Sequence, residues 1–389
     1  MKHLSLVILV LCACMIAGCD ANKKDNNHMD VITINPSAPS AASVDEIFES
    51  HDIVHLHKDT SAIYLNIVQI VKASEEFIYV SDGESLYKFD MTGNLAGKIS
   101  KLGAGHNEYN SITNFAFDTD ESVWILSRHN KKLIHYDWKG SVLDNITIAN
   151  DVKDICVVDE DHVLMYKGNE LDGNGSDRLL VLNLKTKEVE KSYLSVNEDK
   201  AKYLFVSLPG NFSSNGCADG AMLFDLYNDT IYRCGNDIVT PLYVLKFTKH
   251  QIPQEFYNQE FYNIREFVKS VQSNNYLYAT SIFGETKDNL FVSYYHEMNM
   301  HVCMIPKEGG ACMDFSSLTD FDHLDGYTAN LIRFPNVFFS RGKMIFQLDM
   351  LEITDGIKEN LGEEKFNETM EYLNGTDITG TFLFVGKAK

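Results

Sequence analysis

EEFIYVSDGESLYKFDMTGNLAGKIS, residues Glu75–Ser100, is the stretch on which the reading of the fold turns. Its apolar run, Phe77–Val80, has no polar residue alternating in, so the strand it forms must be buried on both faces. A polar turn follows, then an alternating strand, then Asp90-x-x-Gly93 and one more strand. Residues Asp120–Thr147, DESVWILSRHNKKLIHYDWKGSVLDNIT, repeat that order, with Val123–Leu126 as the apolar run. Asp90 to Asp137 spans 47 residues, and so does Gly93 to Gly140. A period of about 40–50 residues with several strands per unit is the mark of a β-propeller. In both hairpins the Asp opens a type I turn and the Gly takes the left-handed position, which gives a hairpin with a bulge.

Working outward, weaker copies cover His162–Leu194, Ala221–Phe247, Asn289–Phe315 and Lys343–Lys387. The last runs out of chain one strand early. Near the start, Asp52–His57 (DIVHLH) is a strand without a partner, and it is expected to supply that missing outer strand. Such a closure pairs the two ends and removes exposed sheet edges. Two segments fall outside the repeat. Residues 251–274 carry Tyr257, Phe261, Ile264, Val268 and Val271 at helical spacing, with Pro253 near the start; this reads as an amphipathic helix. Residues 356–375 read as a second, more acidic helix inside the last unit. The sequence thus predicts an all-β protein: a six-bladed β-propeller over 49–389 with two short helical insertions.

The chain opens with Lys2 and His3, then an apolar run from Leu4 to Ala17. A basic start and roughly 7–15 apolar residues make a secretory signal. It ends Ile16-Ala17-Gly18-Cys19, which looks like the lipobox of bacterial lipoproteins. Residues 1–18 are therefore expected to be cleaved, with Cys19 taking the lipid. Two or three acyl chains would anchor it stably, whereas one binds only marginally. Residues 19–48 are polar, small and Pro-containing, and read as a flexible tether. No later segment reaches the ~18 apolar residues a spanning helix needs.

The formal net charge of −21 and the lack of any basic run longer than two residues argue against nucleic acid and against a polybasic lipid patch. Beyond Cys19 stand five cysteines: 156, 217, 234, 303 and 312. None forms a CxxC pair, so a zinc site is not expected. Cys303 and Cys312 could bridge a hairpin; the bulged turn of the other units favours thiols on opposite sides, reduced and buried.

Between the first two units lies KLGAGHNEYNSI, Lys101–Ile112. Gly103–Tyr109 resembles the G-x-G-P-G-E-Y loop of the NHL-like, six-bladed propeller lipoproteins of gut-type Gram-negative anaerobes. His106 and Asn107 replace the Pro and Gly of that pattern. The resemblance implies the propeller fold and an envelope location at the outer membrane, and little about activity. The loop reads as a hinge, with Glu108 accepting backbone N–H groups and Tyr109 packing between blades. It does not read as a phosphate cradle, because no helix N-terminus follows and no Lys points inward.

In meander blades, the inter-blade links and the second-to-third-strand loops share one face. That face would collect Asp82, Glu84, His106, Glu108, Arg128, His129, Glu170, Asp172, His296 and Glu297, the candidate binding residues. The same residues also read as a solvated rim. Asp172–Asp177 lacks the terminal bidentate Glu of an EF-hand and is taken as a plain loop. His55 and His57 share a strand face, without a third ligand, and are taken as packing. No nucleophile motif appears, and no cofactor, metal or catalytic residue is assigned. Two functions are expected to compete. One is a lipid-anchored binding or scaffold protein for a glycan, peptide or protein; the other is an envelope hydrolase or lyase with its site at the propeller channel.

Overall fold

The computed structural model describes residues 29–389 except 39, 60, 66, 118, 170–175, 197–200, 202–209, 214–219, 297–298, 320–336 and 374–376. The signal, Cys19 and Cys217 therefore lie outside the described residues. The chain is a six-bladed β-propeller. Blade 1 is built from Ile70–Ala73, Phe77–Ser81, Leu86–Asp90 and Leu95–Ile99. Blade 2 uses Asn114–Ala116, Ser122–Ser127, Lys132–Asp137 and Val142–Thr147. Blade 3 uses Asp154–Asp159, His162–Tyr166, Asp177–Asn183 and Glu188–Ser195. Blade 4 uses Phe212–Ser213, Ala221–Leu223, Thr230–Cys234 and Val239–Phe247. Blade 5 uses Tyr278–Glu285, Asn289–His296, Asn299–Pro306 and Met313–Phe315. Blade 6 takes Val337–Ser340, Lys343–Leu348 and Phe382–Ala388, and its fourth strand is Phe48–His55. The first strands of neighbouring blades pack side by side around the axis, so they are the inner ones.

Closure follows the pattern the sequence suggested, with an earlier start. Phe48–His55 pairs antiparallel with Phe382–Ala388, from Ala388 opposite Phe48 to Phe382 opposite His55. Leu56 is fully buried, and His55 stacks on Phe382 at 4.5 Å, so the His-Leu-His stretch is packing. The repeated hairpins have the expected turn. Asp90 Oδ1 accepts from the amides of Thr92 and Asn94, and Gly93 has φ +90°. Although desolvation opposes it, hydrogen bonds from Asn94 and Thr92 hold the Asp90 carboxyl below the usual range. A Cβ on Gly93 would meet the His55 carbonyl oxygen at 2.0 Å, so this turn also seats the closing strand.

The core is divided between blades. Six apolar clusters each join two neighbouring blades, and a seventh lies under the first helical insertion. Tyr79, Tyr109 and Tyr136, for example, lock blade 1 to blade 2. Full burial of one large apolar side chain contributes about 1.5–3 kcal/mol, so each layer is substantial.

Three expectations need correction. From Asp30 on, the supposed tether is part of the fold. Asp30–Ile34 adds a fifth, parallel strand to blade 4, Asp30 opposite Tyr243 and Ile34 opposite Phe247. Ala41–Ser43 pairs with Ser317–Thr319, and Val44–Ile47 forms a helical turn with Val44 and Ile47 buried. The reason is visible in VITI, whose β-branched residues place Ile34 in the core between blades 4 and 5. Second, both insertions are helix pairs. Gln254–Tyr257 and Ile264–Ser273 form the first, with Asn263 capping Glu266 N at 3.0 Å. Met350–Leu361 and Glu363–Tyr372 form the second. That pair begins well before Gly356, on an Asp349 cap, and breaks at Gly362, φ +92°. Third, Cys303 and Cys312 are free but in hydrogen-bonding contact, not on opposite sides. Cys303 pairs with Asp314, which leaves Cys312 diagonal to it. No helix among the described residues is long and apolar enough to cross a membrane; this says nothing of strand-built barrels.

Candidate functional site

Each blade places its second-to-third-strand loop, and its link to the next blade, at one end of the axis. Asp82, Glu84, His106, Glu108, Arg128, His129 and His296 all lie in or beside such connections. Glu170, Asp172 and Glu297 are outside the described residues. The structure joins six of the seven into one sector and separates the last.

The joined sector is the rim of blades 1 and 2. Asp82 Oδ1 accepts from the amides of Glu84 and Ser85. Tyr109, fully buried, reaches the carbonyls of Glu84 and Ile99 with its hydroxyl. Glu108 Oε2 accepts from Gly105 N at 2.8 Å. A Cβ on Gly103 would stand 1.9 Å from that oxygen, so a side chain there would push the Glu108 carboxylate off the loop. One sequence expectation is overturned: a lysine does point into the loop. Lys132 Nζ donates to the carbonyls of Gly105 (2.6 Å), His106 (3.0 Å) and Glu108 (3.1 Å). The loop turns its oxygens inward around a cation of its own chain, the reverse of a phosphate cradle. Arg128 is held bidentate by Asp151, Nε–Oδ1 2.5 Å and Nη2–Oδ2 2.6 Å. Partly exposed, that pair contributes about 0–1 kcal/mol. His129, Glu84 and the His106 side chain are exposed. His296 stands on blade 5, its ring 5.6 Å from His250 and 6.3 Å from His301.

Most of these polar residues therefore shape the rim. Glu84, His106 and His129 face outward, and so do larger features that were not among the selected binding residues. Both helix pairs occupy this face, one linking blades 4 and 5 and the other inside blade 6. Beside each lies a groove. The first, about 260 Å³, is lined by Tyr227, Gln251, Gln254, Tyr257 and Tyr278 among others. The second, about 280 Å³, is lined by Tyr64, Gln347, Asp349, Leu351 and Thr379 among others. Tyr64 donates to Asp377, whose carboxyl is held low by hydrogen bonds from Thr379 and Tyr64. Of the twelve exposed large apolar side chains described, seven are on this face: Tyr64, Ile67, Leu102, Tyr262, Leu351, Leu361 and Tyr372. A signal for one of them was present. Tyr262, 93% exposed, falls off the stripe that runs through Tyr257, Phe261, Ile264, Val268 and Val271.

Along the axis, Lys72, Phe117, Cys156, Phe212, Phe339 and Arg341 line a cavity of about 60 Å³. Among the described residues no three His, Cys, Asp or Glu side chains come close enough to hold a metal ion.

A family described as a domain of unknown function, DUF4934, matches residues 29–377. No curated protein matches. A Bacteroides fragilis protein assigned as exported shares 16% identity at TM-score 0.69, over 92% of this chain and 100% of its own. A DUF4221-family member from Bacteroides vulgatus shares 9% identity at TM-score 0.50, over 88% and 97%. At these identities the likeness shows the fold.

Proposed function

The chain belongs to the DUF4934 family, and from that premise we propose that it is a lipid-anchored binding or scaffold protein of the cell envelope. Cys19 carries the lipid at the outer membrane, and the loop face engages a glycan, peptide or protein. One observation carries this reading: most exposed large apolar side chains gather on the face that also holds both helix pairs and both larger grooves. Grooves flanked by exposed apolar side chains such as Tyr64 and Leu351, with polar groups around them, suit an interaction surface. The exported assignment of the Bacteroides fragilis protein supports the location. The axis cavity, walled mostly by aromatic and aliphatic side chains with two cations, Cys156 and a Ser340 hydroxyl bonded to Ala73, favours binding over the hydrolase or lyase alternative.

The test is photo-crosslinking in producing cells. A crosslinkable residue at Tyr64 or Tyr262 is expected to capture one recurrent envelope component. The same residue at Lys139 or Ile238, on the opposite face, is not. Equal capture from both faces, or none from the loop face, overturns the reading. For the anchor, Cys19→Ala should move the protein from the membrane fraction to the soluble fraction; unchanged partitioning overturns lipidation.

A further inference from the structure

The axis cavity holds a charge arrangement at odds with the chain around it. The formal net charge is −21, yet the charged side chains lining this space are two cations, Lys72 on the inner strand of blade 1 and Arg341 in the first turn of blade 6. Lys72 Nζ donates to the Phe115 carbonyl at 2.5 Å and lies 5.2 Å from the centre of that ring, while Arg341 stacks over the Phe117 ring at 4.8 Å and has one hydrogen bond, to the Phe117 carbonyl at 3.5 Å. Of five guanidinium donors and three ammonium donors on these half-buried side chains, two have a protein acceptor among the described residues. Among the described residues, neither cation has a carboxylate within ion-pair distance. Asp154 acts on Lys72 only from farther off, and it accepts from Asn114 Nδ2 (2.6 Å) and the amides of Ile155 (2.7 Å) and Phe212 (3.1 Å). Burial holds the Lys72 pKa below the ordinary lysine range, Asp154 opposes that shift, and Arg341 adds to it.

A second observation is independent of charge. Ser340 pairs with Lys343, so Arg341-Gly342 is a two-residue hairpin, and both residues have positive φ, 47° and 73°. Such a turn favours Asn at its first position. Arg there bears the backbone strain of a left-handed residue with a Cβ, and the strained residue is the one lining the cavity.

We propose that this cavity binds a small carboxylate, its head between Lys72 and Arg341 and its hydrocarbon part against Phe117, Phe212 and Phe339. A guanidinium fork matches a planar carboxylate in two parallel hydrogen bonds. The remaining walls are Ala116, Ile155, Cys156, Val157 and Ser340, mostly apolar and with the Ser340 hydroxyl already bonded to the Ala73 backbone, and they suit a short carbon body better than a tetrahedral oxyanion. A volume of about 60 Å³ admits several waters or one such ion. Phe117 and the Arg341 turn sit at the axis end opposite the loop face, so this site is separate from the surface proposed above.

The test is calorimetric titration of the purified mature protein with sodium acetate, with sodium phosphate and sodium chloride at matched ionic strength as parallel arms. Saturable acetate binding is expected, with phosphate and chloride at least tenfold weaker. Arg341→Asn relieves the turn, so its thermal midpoint should equal or exceed that of the parent, while its acetate affinity falls at least tenfold. Lys72→Met, which removes a half-buried cation with no ion-pair partner among the described residues, should lose affinity likewise and keep the parent's circular dichroism. No saturable acetate binding, phosphate binding as tight as acetate, or affinity retained in either folded variant overturns the proposal.

Discussion

Closure of the ring rests on a strand about 290 residues away in sequence from the rest of its blade, which makes Phe48→Ala an informative perturbation. Phe48 is 2% exposed, and its ring meets Phe384 edge-on at 5.2 Å and 62°. It also lies over Gly386, where a Cβ would come within 2.4 Å of it, so the ring occupies a site shaped for it. Truncating a buried Phe costs about 3–5 kcal/mol through lost transfer energy and the cavity left behind. Leu143→Ala, on the outer strand of blade 2 and 54% exposed, is the matched control, with an expected change within about 0.5 kcal/mol. Equilibrium unfolding in guanidinium of both variants, and of Phe384→Ala and the Phe48→Ala/Phe384→Ala double variant, gives the cycle. The coupling should be about 0.5–1.5 kcal/mol for an aromatic pair. A Phe48→Ala loss no greater than the control's, or strict additivity in the double variant, would refute the claim that the N-terminal strand locks the last blade.

Gly103→Ala should lower stability by about 0.5–1.5 kcal/mol, because its Cβ displaces the Glu108 carboxylate from the Gly105 amide. In a Glu108→Ala background the same substitution should cost little, and thermal melts showing an equal cost in both backgrounds contradict the loop reading. Cys312 should be alkylated first among the described thiols at pH 7, since its contact with Cys303 lowers its pKa to about 6 while burial pushes Cys234 up. Mass mapping after brief iodoacetamide that finds Cys234 or Cys303 ahead of it refutes this. Asp314 accepts from Tyr294 (2.6 Å), His301 (3.1 Å) and Ser37, and these hold its carboxyl low although desolvation opposes them. A depressed folded pKa means its stabilisation is complete above the unfolded value of about 3.9 and is lost as pH falls through the lower folded value. Asp314→Asn should therefore cost about 2 kcal/mol at pH 7 and flatten the unfolding profile below about pH 4; an unchanged acid limb argues against the network.

By itself the sequence determined the repeat, the strand order and the closure. These depend on local quantities: doubly buried strands such as Phe77–Val80, and turns where Asp90 and Gly93 have no substitute of equal geometry. The Gly103–Tyr109 loop was legible as a hinge for the same reason. Tertiary structure alone decided what the loop's carbonyls hold, because Lys132 arrives from the next blade. It also decided that Asp30–Ile34 is a strand, since four or five residues become β only when an edge, here Val239–Phe247, offers them partners. The outward-facing residues were hardest to read. Tyr64 and Arg341 sit in links and turns with no period to mark them, and they meet their neighbours only because six sheets close around one axis.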